Sequence, residues 1–269
     1  MTQDTAARVM FVSHGGGPLP LLGDPEHQEM VDAIQDMRRF RGKPRGVVVI
    51  SAHWEATPVA VTASAAPSLL YDYSGFSEQA YHIEYPCPGS PELAEDIVSV
   101  LSQRGIAVTT DAERGLDHGV FVPMKLLFPE ASVPCVQVSL SASLDPAEHI
   151  LIGQALQPLL ASNVLILGSG FTFHNMSAFF QSGASHTREH KAQVFLDWLL
   201  QVSENAALNQ SQREKQLIDW EASPESRYNH PREEHLLPYL VCAAAAGKPV
   251  THQWRHAILG IPCANVAWR

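Results

Sequence analysis

Short, near-continuous apolar runs alternate along the chain with stretches in which apolar residues recur every three or four positions. The runs Arg8 to Ser13, Gly46 to Ala52, Val133 to Leu140 and Asn163 to Gly168 are rich in large and β-branched apolar residues, the pattern of strands covered on both faces. Pro58 to Thr62 and Ala107 to Thr110 read as shorter strands. Pro25 to Arg41 places Met30, Ile34 and Met37 on one helical face, and Ser90-Pro91 opens a second helix carrying Leu93, Ile97, Val98 and Leu101, with proline at the first helical position. Further helices are expected over Pro146 to Leu160, Arg188 to Gln210 and Leu236 to Ala246, with a polar stretch running to Tyr228. Val250 to Trp254 and Ala264 to Trp268 read as closing antiparallel strands. Strands alternating with helices predict a single α/β domain over residues 1–269, with a mostly parallel or mixed central sheet and helices on both faces.

Two departures from this alternation draw attention. The first strand runs straight into His14-Gly15-Gly16-Gly17-Pro18, where bare backbone lets a ligand come close. The segment from residue 64 to 91 breaks into an aromatic, Pro- and Gly-rich stretch, long enough to be an active-site loop rather than a simple connection. In open α/β sheets ligands sit outside the carboxyl ends of the strands. His14, His53 and His174 all follow apolar strand runs and so fall at those ends.

Composition narrows the function. Eighteen Lys and Arg against twenty-eight Asp and Glu give a formal charge of −10, which offers no basic footprint for nucleic acid or anionic lipid. The start, Met1 to Thr5, lacks a cationic region followed by an apolar core, and no apolar run approaches the length of a membrane span, so a soluble, cytoplasmic protein is expected. Cys87, Cys135, Cys242 and Cys263 form no C-x-x-C pair and read as free thiols rather than a zinc knuckle or disulfide framework. Self-association is left open.

Thirteen histidines are the unusual count. Neutral imidazole is the commonest transition-metal ligand, and a site of N and O donors without thiolate suits Fe(II), Zn or Mn. His14 and His53 are the leading candidates. Asp117-His118-Gly119 could equally be a turn whose Asp caps the following helix. His230 and His235 compete for a C-terminal ligand role; His235, expected in the first turn of the last helix, is the better fixed. The triple glycine is a poor phosphate cradle because no Gly-Lys-Ser/Thr follows, and Gly168-Ser169-Gly170 lacks the Gly-x-Ser-x-Gly form of a nucleophile elbow. Tyr71, Tyr73, Phe76, Tyr81 and Tyr85 are core aromatics or the walls of a pocket for a planar ligand.

Taken in order, Ser13-His14-Gly15 with Pro18, Ser51-Ala52-His53-Trp54, Asp72-x-x-Gly75-Phe76, Tyr85 to Pro91, Asp117-His118-Gly119, Gly168-Ser169-Gly170 with His174-Asn175, and Glu234-His235-x-Leu237-Pro238 resemble the class III extradiol ring-cleaving dioxygenases, more narrowly the DOPA 4,5-dioxygenase type. The resemblance runs from about residue 8 to residue 268. It implies a mononuclear site with His14, His53 and His235 as ligands, His174 as a base or fourth ligand, and Glu234 as a rival to His235. It further implies Fe(II) for ring opening, zinc as another occupant, and an aromatic diol and O2 as substrates, with His174 and His118 as proton-transfer groups and Tyr85, Asp72 and Glu84 beside the substrate. The usual His-Gly-Ser-Pro is here His14-Gly15-Gly16-Gly17-Pro18, and Glu84 stands where many relatives have histidine. A zinc hydrolase using the same histidines and a non-catalytic metal-binding member of the superfamily are the alternatives.

Overall fold

Alternate residues of the central runs part to opposite faces of one sheet. Val9 and Phe11, Val48 and Ile50, and Val164 and Ile166 enter one core; Met10 and Val12, Val47 and Val49, and Leu165 and Leu167 enter the other. The computed structural model describes residues 6–179 and 185–269; the polar start at residues 1–5 lies outside them. In chain order the elements are β1 (Val9–Ser13), α1 (Gln28–Met37), β2 (Gly46–Ala56), β3 (Val59–Thr62), α2 (Pro91–Gln103), β4 (Val108–Asp111), α3 (His118–Leu127), β5 (Cys135–Ser141), α4 (Pro146–Leu156) and β6 (Val164–Gly170). They continue with α5 (Met176–Phe179), α6 (Ser185–Glu204), α7 (Gln210–Ile218), α8 (Ser226–Asn229), α9 (Leu237–Ala246), β7 (His252–Ile258) and β8 (Ile261–Trp268).

The sheet order is β4-β3-β5-β2-β6-β1-β8-β7. The central strands β5, β2, β6 and β1 are parallel, and β8 and β7 add an antiparallel edge. Helices α2, α4, α6, α7 and α9 cover one face, α1 and α3 the other, so the expected α/β domain with a mixed sheet and helices on both faces is what forms. Helix α9 is buried on every side. Gly153 of α4 and Gly168 of β6 permit this, because a Cβ on either would lie 2.3 Å from Val241 O or 2.6 Å from Cys242 Sγ.

Several expected boundaries shift for local reasons. Ser90 Oγ accepts the Leu93 N–H as expected, but the helix expected over Pro146 to Leu160 turns 3-10 at Gln157, where Pro158 lacks the N–H an α-helix needs. The single helix expected over Arg188 to Gln210 is two. α6 ends at Glu204, Asn205 Oδ1 accepts the Ala207 N–H, and Asn209 and Gln212 form a capping box for α7. The stretch to Tyr228 thus holds α7 and part of α8. Residues 64–91 are not loose. Leu69 bridges Leu116, Gly89 N–H bonds Ala65 O, and the Tyr71, Tyr73 and Tyr85 hydroxyls donate to Ile83, Ala80 and Phe128 carbonyls. Among the described residues no helix is long and apolar enough to cross a membrane.

Candidate metal centre

Sheet register brings the first two histidines together. Ser13 at the end of β1 stands opposite Gly170 of β6, and Ser169 of β6 opposite Ser51 of β2. His14 and His53 therefore emerge at one level, with their Nε2 atoms 3.0 Å apart. The segment after β6 is tied to the approach to α9: Phe171 N–H bonds His235 O, and His174 N–H bonds Asn229 O. That lays the His174 ring on His235, centroids 3.4 Å apart, while His235 stands 5.0 Å from His53 and 5.4 Å from His14. His235 sits in the turn ahead of α9, not in its first turn as expected, since the helix begins at Leu237. His118 opens α3, its ring tilted against His53 with centroids 4.0 Å apart.

The partners of these rings fix which nitrogen is bare. Pro123 in α3 has no N–H for the Gly119 carbonyl one turn earlier, and Ser169 Oγ donates to that free carbonyl instead. With its proton spent there, Ser169 Oγ can only accept from His14 Nδ1, 3.0 Å away, so the His14 lone pair stands on Nε2. Asp72 Oδ1 receives both the backbone N–H and the Nδ1–H of His118, at 3.0 and 2.7 Å. Glu234 Oε1 accepts from His235 Nδ1 at 2.8 Å and faces His174 Nδ1 at 3.1 Å. Four imidazoles are thus held through Nδ1, and the Nε2 of His14 meets that of His53. Asp117, expected as a possible cap of α3, makes no capping bond with its side chain. It is turned into the interior, where Ser51 Oγ, Gln137 Nε2 and Arg114 donate to it. Gly119 is required beside it, because a Cβ there would lie 2.4 Å from Ser51 Oγ and 3.0 Å from His53 Cδ2.

Burial holds His14, His53 and His235 neutral. Desolvation pulls the His14 and His235 imidazoles well below their ordinary value and takes His53 down to about 3, with the neighbouring histidines adding to the effect. Burial raises the Glu234 carboxyl, but its bond to His174 and the nearby Arg232 outweigh that and leave it ionised. His14, His53 and His118 bring nitrogens within 4.8 Å of one another. His14 Nε2 and His53 Nε2 face one another at 3.0 Å, so two ring nitrogens already converge on one point that a shared cation would occupy. Neutral nitrogen donors, with oriented carboxylates and a hydroxyl behind them, fit a divalent transition metal. Ser169→Ala is expected to keep the fold and lower metal affinity about 10–100-fold, read by competitive titration against a chelator. Unchanged affinity would mean that the hydroxyl does not set the His14 tautomer.

A cavity of about 410 Å³ opens over the cluster, lined by its five histidines, by His27 and by Tyr73, Phe76, Phe171 and Phe179. Of the residues expected beside the substrate, Asp72 reaches the cluster, bonding His118 Nδ1 at 2.7 Å and facing His53 Nδ1 at 3.7 Å. Tyr85 and Glu84 are not brought to it. The Tyr85 hydroxyl is committed to Phe128 O, the Glu84 carbonyl takes Lys125, and both residues line a separate surface cavity with Tyr71. His230 also stands apart, buried near Phe195 and Trp220, and its ring nitrogens make no hydrogen bond. His27 was not singled out in the sequence. Its Nε2 accepts the Gly16 N–H at 3.0 Å while Nδ1 bonds Asp24 at 2.5 Å, clamping the glycine loop in which Gly15 and Gly17 have φ of +82° and +54°. The Asp24-Pro25-x-His27 spacing was the available signal.

Comparisons with known proteins agree with this geometry. The family described as the catalytic LigB subunit of aromatic ring-opening dioxygenase matches residues 9–266. A dioxygenase named tasH from Hapsidospora irregularis is 36% identical over 97% of this chain and 85% of its own length. A 4,5-DOPA dioxygenase extradiol from Beta vulgaris is 36% identical, covering 92% of this chain and 90% of its own. An uncharacterized Escherichia coli K12 protein of known structure superposes with a TM-score of 0.72 at 25% identity, covering 96% of this chain and 98% of its own. The chain belongs to the LigB family of aromatic ring-opening dioxygenases, as its resemblance to the class III extradiol enzymes implied.

Proposed function

We propose that the chain opens a catechol ring beside its diol, with His14, His53 and His235 holding iron(II), while His174 and His118 handle protons. The observation that carries this reading is the convergence of five imidazoles on one cavity with four Nδ1 atoms already engaged. His235 is preferred to Glu234 as third ligand because Glu234 Oε1 is occupied by two ring nitrogens. When bound, the metal supplies the coordination and redox chemistry that lets dioxygen react with the diol. The four buried, unpaired cysteines fit a reducing compartment such as the cytoplasm.

The protein groups divide the remaining work. The diol must lose a proton, and His174 Nε2 is placed to receive it while Glu234 stabilises the imidazolium through Nδ1. His118, held by Asp72 on the other side of His53, is the group that returns a proton. Phe76, Tyr73 and Phe171 wall the cavity against water and accept a flat ring. His174→Ala is expected to keep its metal and lose about 10²–10⁴-fold in kcat; loss of the metal as well would make His174 a ligand. The reading itself is tested by anaerobic loading with Fe(II), followed by oxygen uptake and the yellow ring-opened product with a panel of catechols. No uptake with any catechol, together with ester or amide hydrolysis by the zinc form, would replace it by the hydrolase reading.

A further inference from the structure

We infer that this enzyme selects catechols whose ring substituent is uncharged and apolar, and rejects those bearing a carboxylate or amino-acid side chain. The inference rests on the ring-opening reading of the site. With the diol at the histidines, the substituent lies against the far wall, made by Leu19, Phe76, Met176, Phe179, Ile258 and Leu259. Among the described residues lining the cavity there is no lysine, arginine or carboxylate. Two polar side chains of the lining are committed elsewhere, the Tyr73 hydroxyl to Ala80 O at 2.6 Å and both His27 nitrogens to Asp24 and Gly16.

The hairpin between β7 and β8 explains why that wall is apolar and stays put. Leu259 at its tip has φ of +52° and donates its N–H to Glu26 O, and Ala257 N–H bonds Glu29 Oε2. The hairpin is thereby pinned with Ile258 and Leu259 turned to the cavity, and the charge that pins it is acidic. An unpaired carboxylate placed there would be desolvated without compensation.

A second approach to the histidines exists, and it is no better for an anion. His53 and His235 also border a cleft lined by Glu55, Arg232 and Glu234. Arg232 is the one cation among those residues, and it is already gripped by both Glu55 oxygens at 2.6 and 2.7 Å and faces Glu234 at 3.4 Å. A ligand carboxylate would have to displace two protein carboxylates to reach it.

The test compares unsubstituted catechol, 4-methyl-, 4-propyl- and 4-butylcatechol, 3,4-dihydroxyphenylpropionate and its methyl ester, and DOPA, on the Fe(II)-loaded enzyme. kcat/KM is expected to rise about fourfold per methylene along the alkyl series, and the ester to exceed the free acid by about a hundredfold or more. Calorimetric binding of ester and acid under anaerobic conditions is expected to show the same order. An acid bound or turned over as well as its ester overturns the inference, and loss of that acid affinity in Arg232→Ala would place the carboxylate in the polar cleft. Met176, half exposed and on the cavity wall, accepts a cation without loss of packing, so Met176→Lys is expected to narrow the ester-to-acid ratio about tenfold. An unchanged ratio would put the substituent elsewhere and also count against the inference. If unsubstituted catechol and every other diol resist cleavage, it is the ring-opening reading that fails, and the binding order still decides the specificity.

Discussion

The His235→Ala protein is expected to fold and to bind no stoichiometric metal, whereas His230→Leu keeps both metal and fold. The two residues are only five apart, yet their surroundings differ in kind. His235 has Glu234 on Nδ1, lies on His174 and stands within 5.4 Å of His14 and 5.0 Å of His53, ring centre to ring centre. If His14, His53 and His235 are the ligands as proposed, removing it deletes one of three donors, a loss beyond the roughly 10–100-fold that follows from disturbing a partner behind a ligand. His230 is fully buried near Phe195 and Trp220, burial drives its imidazole down to about 3 against the raising effect of the Thr172 backbone beside it, and neither ring nitrogen reaches good hydrogen-bond geometry. Replacing such a group by an apolar one of similar size is nearly neutral or stabilising. Metal content after dialysis, with thermal unfolding on the same samples, checks both halves. A metal-free His230→Leu protein alongside a metal-bound His235→Ala protein would move the third ligand to His230.

What the sequence makes legible here is the backbone frame of the site. Continuous β-branched runs mark parallel strands buried on both faces, and a histidine directly after such a run has to stand at the carboxyl edge. That is enough to place His14, which follows β1 directly, whereas His53 still lies inside β2, before its end at Ala56, and His174 stands four residues beyond β6. What stays hidden is whatever depends on partners far apart in the chain or on side-chain direction. The route from Pro123 through the Gly119 carbonyl and Ser169 to His14 joins three elements, and no periodicity links them. Tyr85 and Glu84 lie in the segment that does reach the cavity through Tyr73 and Phe76, but they fall on its outer side. Alternation along an irregular, proline-rich segment gives no face to read. Likewise Leu259 looks like an ordinary hairpin residue until the bond from its N–H to Glu26 O shows the tip held over the site.

Gly170→Ala is expected to damage both fold and site, although it adds one methyl group and Gly170 lies in a strand. A Cβ there would lie 2.2 Å from the carbonyl oxygen of His235 and 3.1 Å from its carbonyl carbon. Both obstacles are backbone, so no rotamer change relieves them. The strand cannot retreat, because β6 is paired on both sides, to β1 and β2. The segment at His235 must therefore move, and with it goes the bond from Phe171 N–H to His235 O, 2.9 Å in the native chain. Overpacking of this kind costs about 1–3 kcal/mol, and the lost hydrogen bond adds about 1 kcal/mol. For a chain of this size that corresponds to a fall in Tm of several degrees, at roughly 2–4 °C per kcal/mol. The larger consequence is local, since a 1 Å displacement of a positioned group can lower activity about 10²-fold. Gly23→Ala is the control. Gly23 has φ of +75° with nothing within 4 Å of its would-be Cβ, so it costs about 1–2 kcal/mol of backbone strain and leaves metal affinity intact. If the two variants lose similar stability but Gly170→Ala binds metal like the native chain, then β6 does not position His235. The third ligand would then be set by α9 alone.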